Sequence, residues 1–151
     1  MDSSNSISKK VNGLIEKNND AYKGFKKASE NAESVHLRDF FMDEATQRKE
    51  FATELSKELN SYDPDFEVDT DGSSKGTIHR AWMDIKAALS MDDDEAILEE
   101  CIRGEEASLE EYQEFQNEYS TVHSGINNSI KKQQLHVQKT LDRVKGLEDL
   151  H

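Results

Sequence analysis

Two pairs of residues spaced three apart have the helical spacing at which a protein could bind metal ions. Gln133-x-x-His136 and Arg48-x-x-Phe51 match the spacing of Glu-x-x-His, a motif that places both of its ligands on one helix face. Compared with Glu-x-x-His, the first pair has an amide in place of the carboxylate and keeps the histidine. The second pair has neither a carboxylate nor a histidine. Because a guanidinium stays protonated and cannot ligate, the two pairs indicate a fold more strongly than an activity.

The residues between these pairs predict that helices carry them. The chain has 151 residues with one Pro and seven Gly, which favours a single all-helical domain over residues 1–151. Residues 1–6 are predicted to be disordered, and a first helix begins near Ser6 or Ser8. Apolar stripes predict further long helices over Leu37–Tyr62, Asp94–Tyr119 and Val122–Leu150. Residues 63–76 predict an exposed loop, and residues 78–89 predict a short helix.

These elements predict an all-α fold of a specific topology. The first two long helices have a short connection and form an antiparallel hairpin, and the last two form another. About 30 residues join the hairpins, which fits the single long crossover of ferritin-like folds. We therefore expect an up-down four-helix bundle of ferritin-like type, with a short fifth helix in its crossover.

Five polar residues interrupt the apolar stripes and form the candidate site: Asn18, Arg48, Glu105, Gln133 and His136. A di-metal bundle takes one Glu from the first helix of each hairpin and Glu-x-x-His from the second. Only Glu105 and His136 keep a ligand type, with the Gln133 carbonyl as a weak substitute. These three could hold iron or another divalent transition metal. The favoured alternative needs no cofactor: Arg48 pairs with Glu105, and the other three complete a polar layer in the core.

Composition excludes several classes of function. The formal net charge is -13, and no basic stripe for nucleic acid is visible. No apolar run approaches the length of a membrane span, and the N-terminus has no secretory signal, so we expect a cytoplasmic protein without nucleic-acid or membrane partners. Cys101, the single cysteine, lies among apolar residues and is expected to pack in the core.

Four segments carry a resemblance to a known family: LIEKNNDAYKGFKKASE, FFMDEATQRKEFATEL, GTIHRAWMDIKAAL and DDDEAILEECIRGEEASLEEYQEF. They cover most of residues 14–115. The chain resembles an uncharacterised bacterial family of ferritin-like four-helix-bundle proteins. That resemblance implies a ferritin-like bundle in a soluble bacterial protein and implies no activity. More distantly, Gly104-Glu105 and Gln133-x-x-His136 resemble rubrerythrin-type bundles, in which acids and Glu-x-x-His bind two irons.

The leading functional hypothesis is a non-catalytic ferritin-like bundle that serves in assembly or interaction. A role in stress follows only by analogy with ferritin-like relatives, and the protein partner is unknown. The alternative is a protein that binds or oxidises iron at a degenerate di-metal site. A third hypothesis is a helical adaptor that binds its partner through an acidic surface.

The short helix over 78–89 predicts a homodimer, because a closed bundle leaves its apolar side in need of another surface. Ile78, Trp82, Ile85 and Leu89 share that side, and a buried Trp is a frequent interface anchor. Light scattering at micromolar concentration should give the mass of a two-fold dimer, and the Trp82→Ala variant should dissociate. A single-chain mass for the wild type would contradict the dimer. A dimeric Trp82→Ala variant with reduced thermal stability would assign Trp82 to its own bundle.

Overall fold

Four long helices make up the structure, a computed structural model that describes residues 3–68, 94–119 and 123–150. They are α1 (Ser3–Asn31), α2 (Val35–Tyr62), α3 (Asp94–Glu118) and α4 (Ser124–Leu150). These ranges contain no strand, so the all-α prediction is confirmed. The predicted short helix, with Ile78, Trp82, Ile85 and Leu89, lies outside the described residues, as does the predicted loop beyond residue 68.

The first helix starts about one turn earlier than its sequence predicts. α1 begins at Ser3, because Ile7 is buried in the core and anchors the turn before it. Ser8 is also buried and does not cap the helix; its Oγ donates to Oδ2 of Asp63 at 2.6 Å, just beyond the end of α2. This contact ties the beginning of α1 to the end of its neighbour.

The turn between α1 and α2 is held by side-chain caps from both hairpins. The hydroxyl of Ser34 accepts from the backbone N–H of Leu37 at 3.3 Å and caps α2. The carboxylate of Asp94 accepts from the backbone N–H groups of Glu33 and Ser34 at 2.8 and 3.0 Å. The side chain of Asp94, the first residue of α3, therefore joins the start of α3 to this turn.

The helices form two antiparallel hairpins placed side by side. α1 packs along α2, and α3 packs along α4, while α1 also contacts α3 and α2 contacts α4. The pairs α2–α3 and α1–α4 lie on the diagonals of the bundle. The start of α1 shares an apolar cluster with the end of α3, so these two run in opposite directions. It follows that α2 and α3 run parallel, and that the chain from Tyr62 to Asp94 connects opposite ends of the bundle.

Two apolar clusters fill the core, one toward each end. One contains side chains such as Phe25, Phe41, Leu98 and Val144, and the other contains Leu14, Leu55, Ile126 and their neighbours. Between the clusters every helix contributes buried polar residues. The candidate site from the sequence lies in this interval. No helix among the described residues is both long enough and apolar enough to cross a membrane.

Candidate functional site in the bundle core

A buried ion pair crosses the centre of the bundle between diagonal helices. Arg48 of α2 donates from Nη1 and Nη2 to Oε1 and Oε2 of Glu105 on α3, each at 2.5 Å, in a bidentate arrangement. Both side chains are wholly buried. Such a fork-to-carboxylate contact is among the strongest charge-assisted hydrogen bonds that proteins form. The guanidinium also lies over the ring of Phe25, 5.3 Å from its centroid.

A second carboxylate completes the surroundings of Arg48 on the side of α4. Oε1 of Glu44 accepts from Arg48 Nη2 at 3.3 Å and from Thr140 Oγ1 at 3.0 Å, and it lies 3.1 Å from Nε2 of His136. Phe51, in the place of a metal ligand, packs edge-on against the His136 ring with centroids 5.2 Å apart. His136 is therefore held against Glu44 and Phe51 at the α2–α4 seam, where its side chain is 32% exposed.

A chain of hydrogen bonds one turn away links all four helices. Asn18 on α1 donates to the hydroxyl of Tyr112 on α3 at 2.8 Å, and that hydroxyl donates to Oε1 of Gln133 on α4 at 2.7 Å. Gln133 in turn donates to Oε1 of Glu54 on α2 at 2.9 Å, and Glu54 accepts from Lys132 at 2.6 Å. Each amide and hydroxyl in this chain is bonded, which is the condition under which buried polar groups are tolerated.

We call the combined set the central polar layer: Asn18, Glu44, Arg48, Glu105, Tyr112, Gln133, His136 and Thr140. It contains all five residues that interrupt the apolar stripes in the sequence. It also contains three that sequence reasoning missed, namely Glu44, Tyr112 and Thr140. Glu44 lies one helical turn before Arg48 and could have been found from that spacing. The sequence does not identify Tyr112 and Thr140 as members of the layer, because it shows only that each has a polar atom on or beside an apolar stripe.

Burial and the neighbouring positive charge have opposite effects on the pKa values of Glu105 and Glu44. Complete burial raises the pKa of Glu105, and the adjacent Arg48 guanidinium opposes that rise. For Glu44 partial burial also opposes ionisation, yet the hydrogen bond from His136 and the charge of Arg48 hold its pKa below the ordinary value. The pKa of Arg48 is raised, because its carboxylate neighbours outweigh the effect of burial. The layer thus holds a permanent cation between two acids.

The core residues do not form a set of ligands suited to a metal ion. Glu105 uses both carboxylate oxygens on Arg48, while His136 faces Glu44 on another side of the guanidinium. A cation near Arg48 would be repelled strongly inside a low-dielectric core. Across the described ranges, the one group of three acidic or His ligand atoms that converge is Glu95, Glu99 and Glu148. That group lies at the start of α3 and near the end of α4, away from the central polar layer.

Cys101 gives no sign of thiol chemistry. It is buried in an apolar cluster, and burial, helped by the charge of Glu105, raises its pKa well above the ordinary value. A thiol held protonated in this way is a poor nucleophile. The expectation that Cys101 packs in the core agrees with this position.

The fold and the polar layer together define an all-helical four-helix bundle with an ion pair at its centre. The chain belongs to the family described as a domain of unknown function, DUF2383, whose match covers residues 6–118. That match covers α1, α2 and α3 and ends at the last residue of α3. No curated protein and no solved structure matches the chain.

Loss of one partner of the Arg48–Glu105 pair should destabilise the bundle strongly. Arg48→Ala leaves Glu105 buried without its cation, so the free energy of unfolding should fall by about 3–5 kcal/mol. Urea unfolding of Arg48→Ala, Glu105→Ala and the double variant should show strong coupling between the two sites. The half-exposed Lys132–Glu54 pair is the matched control and should couple by less than about 1 kcal/mol. Equal coupling in both pairs would contradict a buried pair at the centre.

Proposed function

We propose that this protein is a non-catalytic, ferritin-like helical bundle that acts as an assembly or interaction module. The observation that supports this most directly is the position of Arg48, whose guanidinium lies between Glu105 and Glu44 in the core. In a di-metal bundle, carboxylates and histidines would meet there around two cations. Here one guanidinium supplies the positive charge, and every amide of the layer bonds to a neighbour.

The directions of the helices support the ferritin-like part of this proposal. α2 and α3 run parallel on a diagonal, and their connection joins opposite ends of the bundle. Bundles with one long crossover have this arrangement. The role of such a module, including any part in a stress response, stays a proposal by analogy.

A protein that binds or oxidises iron is the second candidate, and one contact favours it. Nε2 of His136 lies 3.1 Å from Oε1 of Glu44 at a half-exposed position, which places a nitrogen and a carboxylate ligand side by side. Two ligands are fewer than a stable site for a transition metal provides. Arg48 also bonds to the same oxygen of Glu44. We therefore favour the module without metal.

Iron titration separates the two candidates. Anaerobic addition of Fe(II) followed by oxygen should give no stoichiometric oxo-bridged absorption, because the ligand set is incomplete. The positive control restores the six ligands of a di-metal bundle through Asn18→Glu, Arg48→Glu, Phe51→His and Gln133→Glu. Binding of about two irons per wild-type chain with rapid oxidation would overturn the proposal.

The surface best suited to a partner is the exposed side of α3. α3 carries ten acidic residues and a single basic one, Arg103, among 25 residues. Glu95, Glu99, Glu106 and Glu110 follow one another along its exposed side, and we call them the acidic face. Such a row of like charges attracts a basic surface and accelerates its encounter. The partner that fits is therefore a protein segment rich in Lys and Arg.

Binding of a basic peptide should depend on the acidic face and on salt. Anisotropy of a fluorescent oligolysine peptide should report binding at about 20 mM salt and a large loss at about 300 mM. The variant Glu95→Gln, Glu99→Gln, Glu106→Gln and Glu110→Gln should bind several-fold more weakly. The control variant removes four exposed acids elsewhere through Glu30→Gln, Asp39→Asn, Asp43→Asn and Glu50→Gln. An equal loss in both variants would mean that net charge, rather than this face, attracts the peptide.

A further inference from the structure

Lys17 is a wholly buried amine at the contact between α1 and α3. Its residue is 1% exposed, and Nζ donates to the backbone carbonyls of Ala107 and Ser108 on α3 at 3.2 and 2.7 Å. The same nitrogen lies 5.3 Å from the centroid of the Tyr112 ring. A Lys is almost never fully buried unless it is paired with an acid, so this position requires an explanation.

The hydrogen bonds of Lys17 fit a neutral amine better than an ammonium. A neutral amine has two N–H donors, which match the two carbonyls that it contacts. An ammonium has three donors and a full charge. Within the described part of the chain no carboxylate forms an ion pair with Lys17, so the charge of its protonated form would be opposed only by acids at longer range.

Among the described residues, the charged groups around Lys17 on other helices belong to α2 and α3, which pack against α1. α3 contributes Glu105, Glu111 and Glu114 as acids, and α2 contributes the cation Arg48. α4 lies diagonally across the bundle from α1. On its own helix, Glu16 and Asp20 are the nearest acids in sequence. The three acids of α3 favour the ammonium and Arg48 disfavours it, while burial opposes the charge throughout.

We propose that Lys17 is a protonation switch in the α1–α3 contact. In the neutral form the amine joins the two helices through the carbonyls of Ala107 and Ser108. Uptake of a proton places a charge in the core away from water, so opening of the α1–α3 contact to solvent becomes more favourable. Acidification therefore loosens one side of the bundle, while the Arg48–Glu105 pair continues to hold the diagonal.

The direction of the pKa shift of Lys17 agrees with its burial and its two hydrogen bonds. Burial lowers the pKa of Lys17 to about 7 from an ordinary value of 10.5, although Glu111 and Glu105 act to raise it. Between these two values the unfolded chain binds a proton that the folded chain does not. Unfolding then takes up a proton, so the stability of the folded state rises with pH across this window. Below pH 7 the amine is protonated in both states, and this contribution to stability is absent.

Urea unfolding at several pH values tests the switch. The ratio of the unfolding equilibrium constants of wild type and Lys17→Met cancels the titration of the groups that Lys17 does not influence. Between about pH 7.5 and about pH 10 this ratio should fall about tenfold per pH unit. At pH 6 the variant should be the more stable protein, because it lacks the buried charge. The control is Lys23→Met, which makes the same substitution at an exposed position on the same helix and leaves the buried amine in place.

Two further measurements keep the inference testable if Lys17→Met fails to fold. The carbon-13 shift of the Lys17 Cε in wild-type protein should titrate near neutral pH, and an ordinary titration near pH 10.5 would overturn the proposal. Hydrogen-exchange protection along α1 and α3 should decrease at pH 6 relative to pH 8, with a smaller change along α4. A uniform change in all four helices would contradict a local effect at α1–α3.

Discussion

The ion pair between Arg48 and Glu105 is the interaction on which the rest of this bundle depends. A guanidinium in an apolar core is costly unless its donors are bonded and its charge is opposed. Glu105 opposes the charge and accepts from both terminal nitrogens at 2.5 Å, whereas the buried Nε has no hydrogen-bond partner among the described residues. Because α2 and α3 belong to different hairpins and face each other across the diagonal, the pair fixes one hairpin against the other. A shift of one helix by a turn would separate the fork from its carboxylate.

The position of the pair between two apolar clusters explains how the helices find their register. Apolar stripes can slide past one another with little change in buried area, whereas hydrogen-bonded polar side chains permit one alignment. Asn18, Tyr112 and Gln133 add a second set of contacts that involves α1 and α4. The clusters supply most of the stabilisation by burial, and the polar layer selects the arrangement in which that burial occurs.

The sequence predicts the helices and the types of residue at the centre, because both follow from periodicity. The described helices agree with the predicted ones within a few residues, and the extra turn at Ser3 follows the burial of Ile7. The sequence could not predict the partner of His136. Several polar side chains lie where α2 contacts α4, and small rotations of the helices about their axes decide that Glu44 is the one in contact. Lys17 was missed for a different reason. A lysine at the edge of an apolar stripe is typical of a solvated position, and only the packing of α3 shows that its amine is enclosed.

Charge balance accounts for the types of residue around Arg48. Two divalent cations in a bundle of this kind are offset by four carboxylates. In this core the acids around Arg48 are Glu44 and Glu105, with donors from Thr140 and His136 on Glu44. In the di-metal ligand pattern the four acids would stand at positions 18, 48, 105 and 133, and of these only Glu105 is an acid in this chain. One guanidinium could not offset four carboxylates, which agrees with the neutral side chains of Asn18 and Gln133 near Arg48. The charges of the polar layer are therefore opposed within the layer itself, and building a di-metal site there would require several simultaneous changes.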